Sequence, residues 1–211
     1  MLLYDYFQSS AAFRVRIALN LKGIAAERRY VHLRKGEQHA EAYLKLHPQG
    51  LVPLLVEDGR QLTQSLAIIE YLDERYPLPP LLPEGAAERA WVRSIALAIA
   101  CDIHPINNLR VREYLENELQ IDEARRKAWY AHWVEAGFSA LESQLAARAS
   151  GPYCAGAVPT LADVCLVPQV ANAQRFQLSL APFPRIRAIN AACLELEAFR
   201  LAQPAQQPDA E

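Results

Sequence analysis

The sequence is poor in sulfur, has no long apolar run and carries no excess charge of either sign. Methionine occurs once and cysteine four times. Cys101, Cys154, Cys165 and Cys193 form no CxxC pair, and their wide spacing excludes the usual zinc patterns, so no metal is expected. In a reducing compartment they read as free thiols serving as small apolar side chains. The apolar stretch Ile95–Cys101 has seven residues, whereas a membrane span needs about 20. The first residues, MLLYDYFQSS, lack the basic start and apolar stretch of a secretory leader. A cytoplasmic protein with no membrane partner is expected. The net charge of −2 leaves no basic footprint for nucleic acid or anionic lipid. Internal repeats and low-complexity tracts are also missing.

Proline, by contrast, is plentiful at 14, and four of these lie between Pro77 and Pro83. Proline fixes φ and lacks a donor, so 77–83 reads as a linker. It separates an N-terminal domain, 1–76, from a C-terminal one, 84–211. Residues 2–7 favour a strand. Phe13, Ile17, Ala18 and Leu21 recur at helical spacing, with Gly23 as a stop. A β-rich run follows at 29–33, then one or two helical turns at 40–46. Two strands flank an Asp58-Gly59 turn, and a helix runs from Ser65 to Tyr76. The order βαβ, α, ββα predicts a mixed four-stranded sheet with one parallel pair. Helical patterns then cover 86–117, bent at Pro105, and 124–145, 160–176 and 184–199. Thr160 and Asp163 have capping-box spacing. Trp129 and Trp133 read as core, and the Pro-rich end, 203–211, as loosely held.

Chemistry is expected where strands meet helices. Ser9 and Ser10 stand at the start of the first helix, where free amides and about half a positive charge favour an anion. Either serine can equally be a plain N-cap. Val52-Pro53 opens a strand, which suits a cis peptide or an edge position. Gln64-Ser65 begins another helix and offers an amide, a hydroxyl and backbone donors to a carboxylate. The three loops can share one edge of the sheet.

These features, with five ordered motifs, resemble the zeta-class glutathione transferases. The motifs are Ser9-Ser10-Ala11-Ala12-Phe13-Arg14-Val15-Arg16, Gln64-Ser65-Leu66-Ala67-Ile68-Ile69-Glu70-Tyr71-Leu72, the 101–110 stretch, the 162–176 stretch and Gln207-Pro208-Asp209. The resemblance implies a thioredoxin-like N-terminal domain followed by an all-helical domain, assembled as a homodimer. It implies glutathione as cofactor, with Ser9 stabilising the thiolate and Ser10 beside it. Ala11, Gln38, Val52, Pro53, Gln64 and Ser65 match cofactor-binding positions, as do His104, Asn108, Leu109 and Arg110. Arg175 matches an arginine facing the substrate, and Gln8 and Arg110 match further substrate-facing positions. Ala11 stands where many members have Cys, which removes a second thiol. Gln8 stands where many have Arg, which removes one carboxylate anchor.

The implied reaction is cis–trans isomerisation of a small cis-enedione or dicarboxylate, with maleylacetoacetate as the leading substrate. Reversible thiolate addition makes the double bond transiently single, so that it can rotate. Maleylpyruvate isomerisation and general glutathione transfer or peroxidase activity are the alternatives. Arg110 and Arg175 are the expected carboxylate partners. His104 either makes a polar contact with the ligand or satisfies a carbonyl at a kink. Tyr6 is the rival thiol partner, Arg16 reads as structural and Asp163 as a cap.

Overall fold

The computed structural model describes residues 1–148 and 151–211. They form two compact units: residues 1–80 with 194–211, and residues 81–193.

In the first unit, β1 (Leu2–Asp5), α1 (Ser10–Leu21) and β2 (Glu27–Tyr30) make the expected parallel crossover, with Leu2 beside Glu27 and Asp5 beside Tyr30. A short helix, α2 (Glu41–Leu44), leads to β3 (Leu54–Glu57) and β4 (Arg60–Thr63), an antiparallel hairpin around Asp58-Gly59. Both turn residues have positive φ, as such a turn demands. α3 (Ser65–Arg75) completes the set, and the strand order is β2-β1-β3-β4. Alternation along β1 sends Leu3 and Asp5 to one face and Tyr4 to the other. Tyr4, Tyr6, Phe7, Tyr43, Val52 and Leu54 form one buried cluster. Phe13, Ile17, Ile68, Ile69 and Leu72 are buried on α1 and α3, which pack together. β2 begins two residues before the β-rich run predicted from sequence.

The end of the chain differs from its sequence reading. Residues 203–211 are polar and Pro-rich, yet they are fixed to the first unit by side chains that meet backbone groups. Gln207 Nε2 donates to the Leu201 and Gln203 carbonyls, each at 2.8 Å, and its Oε1 accepts from Arg28 at 2.5 Å. The chain passes between the units twice, once inside the proline segment and again between 193 and 194, so its last residues group with the first unit rather than with the C-terminal domain expected over 84–211.

The second unit is helical: α4 (Ala86–Leu97), α5 (Leu109–Glu113), α6 (Glu123–Ala147), α7 (Leu161–Arg175) and α8 (Pro184–Glu195). The next element, α9 (Glu197–Arg200), belongs to the first unit. α7 is buried along almost its whole length and packs on α4. Its capping box forms as predicted: the Thr160 amide and hydroxyl both donate to Asp163 Oδ2, at 2.8 and 2.9 Å. The Cys154 amide donates to Oδ1 at 2.8 Å. Burial pushes the Asp163 carboxyl up, and these donors oppose the shift.

The predicted 86–117 helix is segmented. π-helical turns at Ala98–Ile103 and Tyr114–Glu118 and a 3₁₀ turn at Pro105–Asn107 interrupt it; Pro105, which brings no donor to the ladder, accounts for the break at 105. Trp129 and Trp133 are not core. They are 37% and 38% exposed, and the buried stripe of α6 is Tyr130, Val134, Phe138, Leu141 and Leu145. Cys101 is exposed rather than packed, while the other three thiols are buried.

Gly137 on α6 lets the Ile103 side chain reach the helix backbone, since a Cβ at 137 would fall inside that side chain. Gly137→Ala is expected to cost about 1–3 kcal/mol of unfolding free energy. Trimming the neighbour in Gly137→Ala/Ile103→Val is expected to return part of it. Urea unfolding of the two variants checks this.

Candidate active site

The first unit gathers its loops at one edge of the sheet. Tyr4 pairs with Leu54, and Leu54 with Thr63. The end of β1, the start of β3 and the end of β4 therefore lie in one row. β2 is parallel to β1, so its C-terminal end faces the same way. Ser9, Gln38, Val52-Pro53 and Gln64-Ser65 all sit on the loops leaving this edge. Open α/β sheets bind ligands at the carboxyl ends of their strands for the same reason.

Side-chain contacts tie these loops together. Ser9 is the N-cap of α1, its Oγ accepting from the Ala12 amide at 3.2 Å. Ser10, next to it, is buried. From the same helix the buried Arg14 donates to Ser65 Oγ at 3.2 Å, at the first turn of α3. Arg14 was not singled out in the sequence reading as a site residue. A charged side chain on an otherwise apolar helical face was the available signal. It sets a guanidinium behind a hydroxyl and the free amides of a helix start, which favours an anion there.

Gln64 adopts φ 68° and ψ 115°, a conformation that costs a non-glycine residue about 1–3 kcal/mol and recurs at functional sites. Its Nε2 donates to Gln49 Oε1 at 3.1 Å. Gly50, at φ 60°, lies so close to the 38–39 turn that a Cβ would meet the Gln38 carbonyl at 3.0 Å. Tyr43 Oη holds the Leu51 carbonyl at 2.6 Å. Val52 is buried, and the Val52-Pro53 peptide is cis. Gln38 is buried, and its Oε1 accepts no hydrogen bond among the described residues. Gln8 and Ala11 are half-buried on either side of the two serines. Tyr6 is buried in the sheet-face cluster with its ring against Phe7 and His32.

Relieving the strain at 64 tests what it serves. Gln64→Gly is expected to leave thermal stability unchanged or slightly higher, because glycine tolerates this φ. The amide side chain is lost, and the apparent affinity for a ligand at the start of α3 is expected to fall about tenfold, the worth of one hydrogen bond. Calorimetric titration and a thermal melt read the two effects.

The second unit carries its own cluster. Arg175 and Arg112 place their guanidiniums 5.2 and 4.9 Å from the centre of the Phe176 ring. That ring stacks on Tyr130 at 3.8 Å. Burial pushes the Tyr130 hydroxyl up to about 12, against the opposing influence of Arg175 and Arg112. Arg175 Nη2 also donates to Asn172 Oδ1 at 3.2 Å. Arg112 thus shares the ring with Arg175. Arg110 is exposed on α5, and Leu109 beside it is half-buried. Asn108 caps α5, its Oδ1 accepting from Val111 at 3.2 Å. His104 precedes Pro105 and donates its amide to the Ile99 carbonyl at 2.9 Å.

Comparison with known proteins places this arrangement in a family. The profile of the glutathione S-transferase N-terminal domain matches residues 3–80. Probable maleylacetoacetate isomerase of Vibrio cholerae is 50% identical, covering 100% of this chain and 98% of the other. The holo structure of a bacterial maleyl pyruvate isomerase, described as a zeta-class glutathione S-transferase, covers all of both chains at 51% identity and a TM-score of 0.98. The chain belongs to the zeta-class glutathione transferases. A maleylacetoacetate isomerase from Methylobacterium extorquens AM1, with malonate and glutathione bound, also matches over all of both chains, at 40% identity and a TM-score of 0.97. As a zeta-class transferase the chain has the expected mixed-sheet thioredoxin-like portion followed by helices. Among its described residues no helix is long and apolar enough to cross a membrane.

Proposed function

We propose that this zeta-class transferase is a glutathione-dependent cis–trans isomerase acting on maleylacetoacetate to give fumarylacetoacetate. The observation that carries the reading is the sheet edge, where three loops and helix α1 meet in a chain of contacts from Arg14 and Ser65 through Gln64, Gln49 and Gly50 to Gln38.

Glutathione fits the groups at this edge. The buried Gln38 Oε1 needs a donor, which an amide or ammonium of the tripeptide provides. Ser65, Gln64 and the first amides of α3, backed by Arg14, suit a carboxylate. Val52 offers its backbone groups to a peptide-like ligand, and Ser10 and Ala11 line the start of α1. When bound, glutathione supplies a thiolate that adds reversibly to the conjugated double bond and is released unchanged.

The protein's part is electrostatic. Ser9 Oγ already accepts from Ala12, so its own proton is available to donate to a thiolate. Donors here favour the charged form of a thiol whose ordinary pKa is about 8.5. Arg175, which shares the Phe176 ring with Arg112, is assigned to a substrate carboxylate, a group that a guanidinium can hold at two points. Asn108 and Arg110 offer further polar contacts from α5, and His104 and Leu109 flank them. Gln8 presents a neutral amide where many relatives have a cation, which favours maleylacetoacetate over maleylpyruvate.

The enzyme is further assigned to the cytoplasm, in line with its four free thiols, and to a homodimer, as the family resemblance implies. Gel filtration is expected to give about twice the 23.7 kDa chain mass. The functional test uses trace glutathione and both cis substrates. The expected result is many turnovers per glutathione, a constant glutathione concentration and a higher kcat/KM on maleylacetoacetate. Consumption of glutathione with adduct formation refutes the isomerase reading. Equal turnover without glutathione refutes the cofactor.

A further inference from the structure

The 201–211 segment closes on the strand that leads to Ser9. We infer that Asp209 is a positioning residue for Ser9: its carboxylate fixes the β1–α1 loop by accepting the Phe7 amide. The inference rests on the role proposed for Ser9.

All backbone polar groups of Tyr6 and Phe7 have partners. The Tyr6 amide donates to Asp5 Oδ1 at 2.7 Å. The Tyr6 carbonyl accepts from the Ser9 amide at 2.9 Å and from Arg16 Nη1 at 3.4 Å. The Phe7 carbonyl accepts from Arg16 Nη2 at 3.0 Å. These partners all come from the strand and helix on either side of the loop. The Phe7 amide alone turns to a distant residue, Asp209 Oδ2 at 2.9 Å, 202 positions away.

The segment does not need this bond to stay docked. Gln207 already ties it to Arg28 and to its own turn, and Arg16 Nε donates to the Ala202 carbonyl at 3.0 Å. Asp209 is half-buried, and the Arg16 guanidinium is near enough to feel its charge. Its Oδ1 is buried and has no hydrogen-bond partner among the described residues. Burying half a carboxylate opposes folding. What it supplies is the acceptor of the Phe7 amide, in a loop that reaches Gln8-Ser9 one residue later. A reacting group misplaced by about 1 Å can lose about 100-fold in rate, so an anchor two residues from Ser9 bears on its hydroxyl.

The test compares Asp209→Ala, Asp209→Asn, Ser9→Ala and the double variant Ser9→Ala/Asp209→Ala. The pH midpoint of the bound glutathione thiol is read by thiolate absorbance, and kcat is measured separately from KM. Amide exchange is followed on the enzyme without glutathione. D209A is expected to raise the midpoint by about one unit and lower kcat about tenfold, leaving KM for the cis substrate within about twofold. D209N keeps an acceptor and is expected to return most of both. Without glutathione, D209A is expected to speed exchange at Phe7 and Ser9 about tenfold, with Ile17 unchanged. In the S9A background, D209A is expected to move the midpoint no further.

A shift in S9A with none in D209A overturns the positioning role and leaves the Ser9 assignment standing. Equal, additive shifts in the double variant overturn it as well. No shift in S9A overturns the Ser9 assignment, and this inference with it. If D209A fails to fold, Gln207→Ala loosens the same segment while keeping the carboxylate. Faster Phe7 exchange in Q207A with an unchanged midpoint then overturns the proposal.

Discussion

Replacing Ser9 by alanine is expected to lower kcat/KM for the cis substrate about 10- to 100-fold at neutral pH. A hydrogen bond to a charged group is worth about 1.5–3 kcal/mol, and that range converts to this loss. The expected rate deficit narrows as pH rises, because glutathione ionises by itself above its ordinary pKa. Ser9 is also the α1 cap, so alanine is expected to remove about 1 kcal/mol of stability as well. Ser9→Gly separates the two roles. Glycine costs a cap only a few tenths of a kcal/mol yet removes the same hydroxyl. S9A and S9G are thus expected to be equally slow but unequally stable. A pH–rate profile and a urea titration of each variant measure this, and an S9G enzyme of full activity would sink the assignment.

Asp5→Ala is expected to destabilise the chain by about 3–5 kcal/mol, the usual cost of leaving one member of a buried ion pair alone. Asp5 and Arg16 are both fully buried and meet at 2.7 Å, and Arg28 approaches the other Asp5 oxygen at 3.2 Å. Burial holds the Arg16 guanidinium below its ordinary pKa, and Asp5 opposes that shift. Without Asp5 the guanidinium is left with neutral carbonyl acceptors from Tyr6, Phe7 and Ala202. Asp5→Asn keeps a polar group of the same shape and is expected to lose less. Chemical denaturation distinguishes them. A loss below about 1 kcal/mol in D5A would place the pair among ordinary surface bridges.

Short-range signals in the sequence were reliable guides to structure. The Asp58-Gly59 hairpin, the Ser9 cap and the Thr160–Asp163 box each depend on residues within a few positions of one another. The single-edge arrangement was also legible, because element order alone fixes which strand ends point the same way. Long-range pairing was not. Gln207 and Asp209 look like solvated tail residues until the Arg28 and Phe7 groups they meet are known. The place of Arg112 over the Phe176 ring was not legible either, because the π turns on either side of α5 spoil any phase count from the preceding helix. The tryptophans misled because Trp129, Trp133 and Ala140 also fall roughly on one helical stripe. The spacing of Tyr130, Val134, Phe138, Leu141 and Leu145 held the correct stripe, and Trp129 and Trp133 fall beside it.

The first unit is discontinuous in the chain: its last piece, 194–211, follows the whole of the second unit. A nascent polypeptide emerges at about 5–20 residues per second. Strand β1 and helix α1 are therefore on hand well before the Ala202 carbonyl that Arg16 needs. Vectorial folding on the ribosome cannot finish this half first. The unit translated earliest is the one completed last, and until then its buried guanidinium is short of one acceptor.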